Sequence, residues 1–155
     1  MNKLLVLCFA IILSCTNSVS QKTTNGQQKG EILVSESQGG TGKVEFKIIN
    51  NVQEYAKIFE KNDSELKAEG EEAVEKYPAF PIDKKVILYN LGNFNSGDHR
   101  ISEIKNIYVK ENTLFIEVPE YQSGGMEIQM TSNPWSIIAV PSNLKFNTVE
   151  LQYSK

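Results

Sequence analysis

The sequence predicts a single α+β domain, mainly an antiparallel β-sheet or sandwich of about seven or eight strands, with one or two helices between residues 51 and 77. Three observations carry this prediction. Several stretches alternate apolar and polar residues with the period of two that is typical of a strand. Between residues 52 and 77 the apolar period changes to that of a helix. From residue 84 onward only strand-like stretches follow, and this separation of strands from helices is typical of α+β folds.

The folded domain is expected to span residues 31–155, because its first strand-like residues follow a long polar stretch. Residues 32–34 are three consecutive aliphatic side chains and predict a short first strand. The Gly-Gly-Thr-Gly stretch at residues 39–42 is typical of a turn. Residues 44–48 then alternate apolar and charged side chains, which predicts the second strand.

Helical spacing begins after residue 51. Apolar residues recur three and four positions apart from residue 52 to residue 59, which predicts an amphipathic helix. Asn51 and Glu54 have the spacing of a capping box, in which each side chain reaches the backbone of the other. A second helical stretch is expected over residues 64–77, and the prolines that follow it end the helix.

The second half of the chain has the patterns of β-structure. The apolar run at residues 86–89 predicts a strand that is covered on both faces. Residues 107–109 and 114–118 predict a hairpin around a turn at residues 110–112. Three more strands are expected, at residues 126–130, 135–140 and 149–153.

The first residues have the pattern of an export signal. Lys3 supplies a cationic start, and the apolar run over residues 4–13 is too short to span a bilayer. The stretch Ile12-Leu13-Ser14-Cys15 resembles the lipobox of bacterial lipoproteins, whose cysteine becomes the acylated first residue of the mature protein. The resemblance implies that residues 1–14 are removed as a signal peptide and that Cys15 carries fatty acyl chains such as palmitate. It implies a cell-envelope location, anchored in membrane lipid on the periplasmic or outer-membrane side.

The stretch after the cysteine is polar. Residues 15–30 are expected to form a flexible tether from acylated Cys15, because their Ser, Thr, Asn, Gln, Lys and Gly side chains bury too little apolar area to offset chain entropy. The formal net charge is −3, and loss of Lys3 with the signal makes it more negative. A mildly acidic chain without a cluster of Lys and Arg argues against nucleic-acid partners.

The residues that would carry catalysis are sparse. His99 is the only histidine, and no spacing of His, Cys and carboxylate side chains matches a zinc site. The chain has neither a Gly-x-Ser-x-Gly elbow nor a phosphate-binding loop. Asp98 directly precedes His99, and adjacent side chains of a strand face opposite ways. We therefore predict a non-enzymatic protein without cofactor or metal, in which His99 is a solvated loop residue.

Four short blocks follow one another between residues 80 and 151. A Pro-Ile-Asp segment precedes an apolar strand that ends at Gly92. A loop with Ser96 and Gly97 follows, then a hairpin arm over residues 114–120, and last a Thr-Ser-Asn-Pro-Trp segment that leads into an aliphatic strand over residues 135–141. In this order the blocks resemble the C-terminal domain of the PrcB-type protease-complex subunit family. The loop departs from the family pattern where Asp98 and His99 replace a Gly and a Tyr.

The resemblance implies a role without catalysis. Members are lipoprotein subunits that associate with a secreted or surface protease and stabilise it. We therefore expect a membrane-anchored protein-binding module, with an accessory subunit of an envelope protease as the implied role. The candidate binding residues are Ser96, Gly97, Asp98, His99, Arg100, Gly124, Gly125 and Trp135.

A second resemblance concerns three loops, at residues 93–97, 121–125 and 133–135. Chagasin-like cysteine-protease inhibitors present three loops of comparable chemistry, in which glycine permits close approach and an aromatic side chain supplies buried area. Alternatively, Ser96-Gly97 and Gly124-Gly125 are hairpin turns and Trp135 belongs to the core. A protease inhibitor and a structural envelope lipoprotein therefore remain as alternative functions.

Overall fold

The computed structural model describes residues 29–63, 77–123, 125 and 129–155. Within these residues, seven strands form two sheets and one helix lies between the second and third strands, which confirms the α+β prediction. The elements are β1 Glu31–Glu36, β2 Val44–Ile49, α1 Val52–Asp63, β3 Lys84–Leu91, β4 Asn106–Lys110, β5 Thr113–Pro119, β6 Trp135–Pro141 and β7 Thr148–Ser154.

The larger sheet is antiparallel and has the strand order β1-β6-β3-β2. Its central strands, β3 and β6, are buried on both faces. Val86 and Ile87 are adjacent on β3, point to opposite faces and are both fully buried. The apolar run at residues 86–89 is therefore a doubly covered strand, as the sequence predicts.

Helix α1 covers one face of this sheet. Asn51 Oδ1 accepts a hydrogen bond from the Glu54 backbone N–H at 2.9 Å, and the Glu54 carboxylate reaches back to the Asn50 N–H at 3.4 Å. This is the predicted capping box, with its return contact made one residue earlier. Tyr55 and Phe59 face the sheet, where they pack in one apolar cluster with residues of β1, β3 and β6.

The three-stranded sheet covers the opposite face and has the order β4-β5-β7. The hairpin β4–β5 turns at Glu111 and Asn112, whose φ values of 51° and 62° are those of a two-residue hairpin turn. Strand β7 pairs in parallel with β5, and all other strand pairs are antiparallel, which agrees with the predicted mainly antiparallel fold. The chain crosses from the other sheet after β6 and enters β7 beside this turn, where the Asn147 N–H donates to Asn112 O at 2.9 Å.

Two predicted elements fall largely outside the described residues. The second helix was expected over residues 64–77, of which only Tyr77 is described, and its ring stacks on Phe59 with centroids 3.8 Å apart. Of the strand expected over residues 126–130, only 129 and 130 are described. Met130 is exposed and belongs to no strand.

Candidate functional site

The strand registers bring several loops together at one end of the molecule. Glu36 at the end of β1 and Asn90 near the end of β3 both lie opposite Trp135, the first residue of β6. The described loops that follow or precede these strands, with the segment after β5, form what we call the loop end: residues 37–43, 92–102, 120–123, 125 and 129–134. Strand β1 begins at the opposite end, where Glu31 lies beside Ala139.

The glycine-rich turn after β1 is held against the segment before β6. The Gly40 N–H donates to Asn133 O at 2.9 Å, and a Cβ at Gly40 would lie 2.6 Å from that same oxygen. Buried Asn90 accepts a hydrogen bond from the Thr41 N–H at 3.0 Å. Residue 40 must therefore be glycine for this turn to close on the loop end.

Trp135 is a core residue. Its side chain is 2% exposed, and its indole N–H donates to Gln38 O at 2.7 Å. Its ring centroid lies 6.3 Å from that of Phe59 on helix α1. The interpretation of Trp135 as core is therefore the correct one, and Trp135 is removed from the candidate contact residues.

His99 lies in a stack of three rings. Its imidazole is 3.9 Å from the Phe94 ring at an interplanar angle of 15°, and 4.1 Å from the Tyr121 ring at 37°. Nε2 lies 2.9 Å from Ser96 O, and because a carbonyl can only accept, this nitrogen carries the hydrogen of the bond. The expectation of a solvated His99 is wrong: the side chain is half-buried and joins two loops.

Gly97 permits the approach of Tyr121 to this stack. Its φ is 78°, in the region that favours glycine, and a Cβ there would lie 2.2 Å from Tyr121 Oη. The loop after β3 and the segment after β5 are thus in direct contact. The role of Gly97 is to shape the site rather than to expose backbone to a partner.

Asp98 and Arg100 form a two-pronged ion pair on the surface. Arg100 Nε donates to both carboxylate oxygens at 2.9 Å, and Nη2 donates to Oδ2 at 2.6 Å. These hydrogen bonds lower the pKa of Asp98 from its ordinary value of 3.8 and raise the pKa of Arg100. The stabilisation by this pair is present above the ordinary pKa of Asp98 and is lost as the pH falls through the lowered one. Both side chains are about half exposed, so that contribution is small.

A cavity of about 630 Å³ opens at the loop end, between the two sheets. Apolar side chains line its floor, and polar side chains line its rim. The floor includes Ile32, Leu91, Ile101 and Val118. The rim includes Ser35, Asp98, Arg100, Glu120, Gln122 and Tyr153. An apolar floor with a few converging polar groups is typical of a site that takes a small molecule or a side chain of a partner.

The predicted site residues are only partly brought together. Ser96 and Gly97 shape the wall, and Asp98, His99 and Arg100 line the cavity. Gly125 is exposed, with no atom within 4 Å of a Cβ built there. Cys15 and Gly124 lie outside the described residues.

Sequence reasoning did not single out the rings that frame the site. Phe94 and Tyr121 lie in two of the three loops that resemble inhibitor loops, at residues 93–97 and 121–125. Their position in these loops is the sequence signal that could have identified them. Tyr153 was assigned to a strand, and nothing local in the sequence shows that it borders a cavity. Across the described ranges, no group of three His, Cys, Asp or Glu side chains is arranged to hold a metal ion.

Comparison with known proteins finds no relative: no family model matches the chain, and neither a curated protein nor a solved structure matches it. In the part of the chain that the structure describes, no helix is long and apolar enough to cross a membrane. The features of this chain that bear on function are therefore the sequence signal at Cys15 and the geometry of the loop end.

Proposed function

We propose that this chain is a lipid-anchored, non-catalytic binding module of the bacterial envelope that holds a protein partner at its loop end. The observation that carries the proposal is the convergence of loops around one cavity, whose wall is stiffened by the stack of Phe94, His99 and Tyr121. Loops held on a rigid scaffold are where binding residues concentrate. Rigid rings lose little conformational entropy when a partner covers them.

The proposed tether, residues 15–30, leads into strand β1 at Glu31. That residue pairs with Ala139 near the end of β6, whereas the loops gather near the start of β6. The acyl chains on Cys15 supply the membrane affinity, because each buried methylene contributes about 0.8 kcal/mol.

The chemistry of the cavity supports binding rather than catalysis. The imidazole of His99 is held between two rings and bonded to Ser96 O, and the carboxylate of Asp98 is bonded to Arg100. A general base must be within reach of a substrate proton. Both groups instead serve to fix the loop.

An envelope protease is the partner that the PrcB-type resemblance implies. That resemblance is weakest at Asp98 and His99, which are also the residues that line the cavity. The partner contacts of this chain therefore differ from the family pattern at the point where they matter most. The accessory-subunit role is proposed on the resemblance alone.

Protease inhibition is the second candidate, and the contact between two of the three weighed loops favours it. Gly97 and Tyr121 touch, so those loops could enter a protease cleft together. The burial of Trp135 removes the aromatic wedge from the third loop. Addition of the purified protein to papain-like and subtilisin-like proteases separates the roles: inhibition supports this candidate, and protection of a protease against inactivation supports the accessory subunit.

The binding site is tested by capture from detergent-solubilised envelopes. The full chain serves as bait, with a variant in which Asp98, His99 and Arg100 are all alanine. The matched control changes the exposed residues Ser142, Asn143 and Lys145 to alanine at the opposite end. Envelope proteins are quantified by mass spectrometry, and thermal melting shows that each bait is folded.

We expect at least one protein to be retained by the wild type and by the control but lost from the loop variant. Loss of the stack around His99 should lower the stability of that variant by only about 1–3 kcal/mol, since each ring pair is worth about 0.5–1.5 kcal/mol. If a folded loop variant retains every protein that the wild type captures, the loop end is not the binding site.

A further inference from the structure

The outer edge of strand β7 has few of the features that keep an edge strand from pairing. Among the strands that the structure describes, it pairs with β5 and with no other. Its seven residues include one charged side chain, Glu150, and no lysine, arginine or proline, and its pairing with β5 shows no bulge. Charges, prolines and bulges are the devices that keep natural edge strands from pairing with other chains. The other described edges have them: β1 is bulged between Ile32 and Val34, β2 carries Lys47, and short β4 ends at Lys110.

The backbone groups on that edge can be assigned. Ser154 O accepts a hydrogen bond from Glu120 N–H at 3.1 Å, so residue 154 directs its backbone groups toward the β5 side. Successive residues of a strand alternate in this respect, so Val149, Leu151 and Tyr153 direct their N–H and C=O groups toward the open edge. The Leu151 backbone faces the Tyr89 hydroxyl of the other sheet, where burial raises the pKa of Tyr89 more than this backbone group lowers it.

We propose that two copies of this chain pair through β7, antiparallel, with Leu151 of each copy on the two-fold axis. Val149 of one copy then lies opposite Tyr153 of the second copy, and the outward-directed groups of all three residues bond across the edge. The three-stranded sheets of the two copies become one continuous sheet. In this pairing the Leu151 N–H exchanges its contact with Tyr89 for the Leu151 carbonyl of the second copy.

The polar side chains of β7 select this register. Glu150 of each copy lies opposite Gln152 of the second copy, so no like charges meet. Gln152 Oε1 already accepts a hydrogen bond from the Tyr108 hydroxyl at 2.6 Å, which leaves the amide N–H groups to donate to the Glu150 carboxylate. A register shifted by two residues toward the start of β7 places Glu150 of one copy opposite Glu150 of the second copy. A register shifted by two residues the other way leaves the first residues of each β7 strand unpaired.

Apolar surface beside the edge favours the same occupant. Gly30 at the start of β1 lies against Ile104 and Ile107, at the β4 side of the smaller sheet, and Tyr89 of β3 lies against β7. Tyr153 on β7 is 54% exposed, which is high for a large side chain with an apolar ring. The β7 strand of a second copy covers part of that ring.

The antiparallel arrangement turns the two copies end for end, and the proposed tether allows this. At about 3.3–3.6 Å per extended residue, residues 15–30 reach roughly 50 Å. Both acylated cysteines can then enter one bilayer while the long axis of the pair lies flat on it. The two loop ends lie at opposite ends of the pair, and Tyr153 of each copy lies both at the paired edge and beside its own cavity.

Charge variants of the full chain, purified in non-ionic detergent, test the register by light scattering and dissociation measurements. With Gln152→Glu, residue 152 of each copy places a carboxylate opposite Glu150 of the second copy. These two repulsive pairs should weaken the dimer about 2- to 30-fold. The new carboxylate still accepts the Tyr108 hydrogen bond. Glu150→Lys alone opposes a neutral side chain and should leave the dimer within about 2-fold of the wild type. Combined with Gln152→Glu, it should restore dimerisation, because opposite charges then face each other.

A monomeric wild type, or a double variant that stays as weak as Gln152→Glu, would overturn the proposal. A second measurement avoids detergent. After oxidation of native membranes, Glu150→Cys combined with Gln152→Cys should give a disulfide-linked dimer, because directly opposed Cα atoms lie within the range that a disulfide spans. In either single variant, the cysteine lies about two residues away from the same cysteine of the second copy. The single variants should therefore not cross-link. Equal cross-linking by the single variants, or none by the double variant, would contradict the register.

Discussion

Gly97 illustrates at the scale of one residue how the site is built. Its left-handed backbone and its contact with Tyr121 both require the absence of a side chain. The resemblance to the PrcB-type family places Gly97 in a distinctive loop and implies that this loop contacts a partner. The structure gives the glycine a different task, which is to let the Tyr121 ring close against the loop that carries His99.

Gly97→Ala should therefore destabilise the protein more than Gly125→Ala. Both glycines have positive φ, so each alanine carries backbone strain of about 1–2 kcal/mol. Only at Gly97 would the added Cβ collide with another residue, Tyr121. Displacing that ring should add about 1–3 kcal/mol to the loss of stability. Chemical denaturation of the two variants measures the difference. Equal losses would show that Tyr121 moves aside without cost.

His99 shows that residue type and local sequence do not predict which side chains surround a residue. A lone histidine beside Asp98 in a polar loop is usually solvated, and nothing in the local sequence says that Phe94 and Tyr121 will enclose it. Tyr121 reaches the stack from more than twenty positions along the chain. Such contacts depend on where other elements end, and sequence spacing does not report that.

At the scale of the element, the hairpin β4–β5 follows local rules closely. Its two turn residues take the positive φ values of the favoured hairpin turn, and β5 alternates buried and half-buried side chains. Leu114, Ile116 and Val118 all face the core between the sheets, as the period-two pattern predicts. An alternating strand needs only one covered face, so the local sequence is enough to orient it.

Ile116→Asp should unfold or severely destabilise the domain, whereas Glu117→Lys should not. Ile116 is fully buried, and the aspartate would lose its apolar burial and place a carboxyl without a partner in the core, for a loss of about 3–5 kcal/mol. Glu117 points to the outer face, where a change should cost about 0.5 kcal/mol or less. Thermal melting decides the matter: similar melting temperatures would mean that the strand faces are reversed.

At the scale of the whole molecule, the proposed lipid anchor and the proposed binding site lie toward different strand ends of the larger sheet. The start of β1 receives the proposed tether, and the opposite end gathers the loops around the cavity. This division follows from antiparallel pairing of β1 and β3 with β6, which brings strand ends from distant parts of the chain to one place. The outer edge of β7 reaches the cavity, since Tyr153 is among the residues that line it.

Cys15→Ser should release the protein from the membrane fraction or block its processing. The tether has neither an apolar face nor a basic patch, so nothing else in residues 16–30 replaces the acyl chains. Fractionation of cells and immunoblotting measure the distribution. The control is Ser18→Ala, which leaves the lipobox intact and should fractionate like the wild type. Unchanged membrane association of a correctly processed Cys15→Ser variant would refute the lipid anchor.

The sequence by itself determined the class of the fold and the place of the elements within the described residues. The capping box at Asn51 and Glu54, the doubly buried run at residues 86–89 and the hairpin turn at Glu111 are all local signals. Each depends on a period or on a backbone conformation that a few neighbouring residues dictate. Such features are read correctly from a short stretch of sequence.

Only the tertiary structure decided the parallel pairing of β7, the burial of Trp135 and the cavity beside His99. Each depends on which distant element covers a side chain or a strand edge. Trp135 is core because helix α1 packs over β6, and β7 runs parallel because the chain changes sheets before entering it. The period of a strand shows that one face is covered, but it carries no information about what covers it.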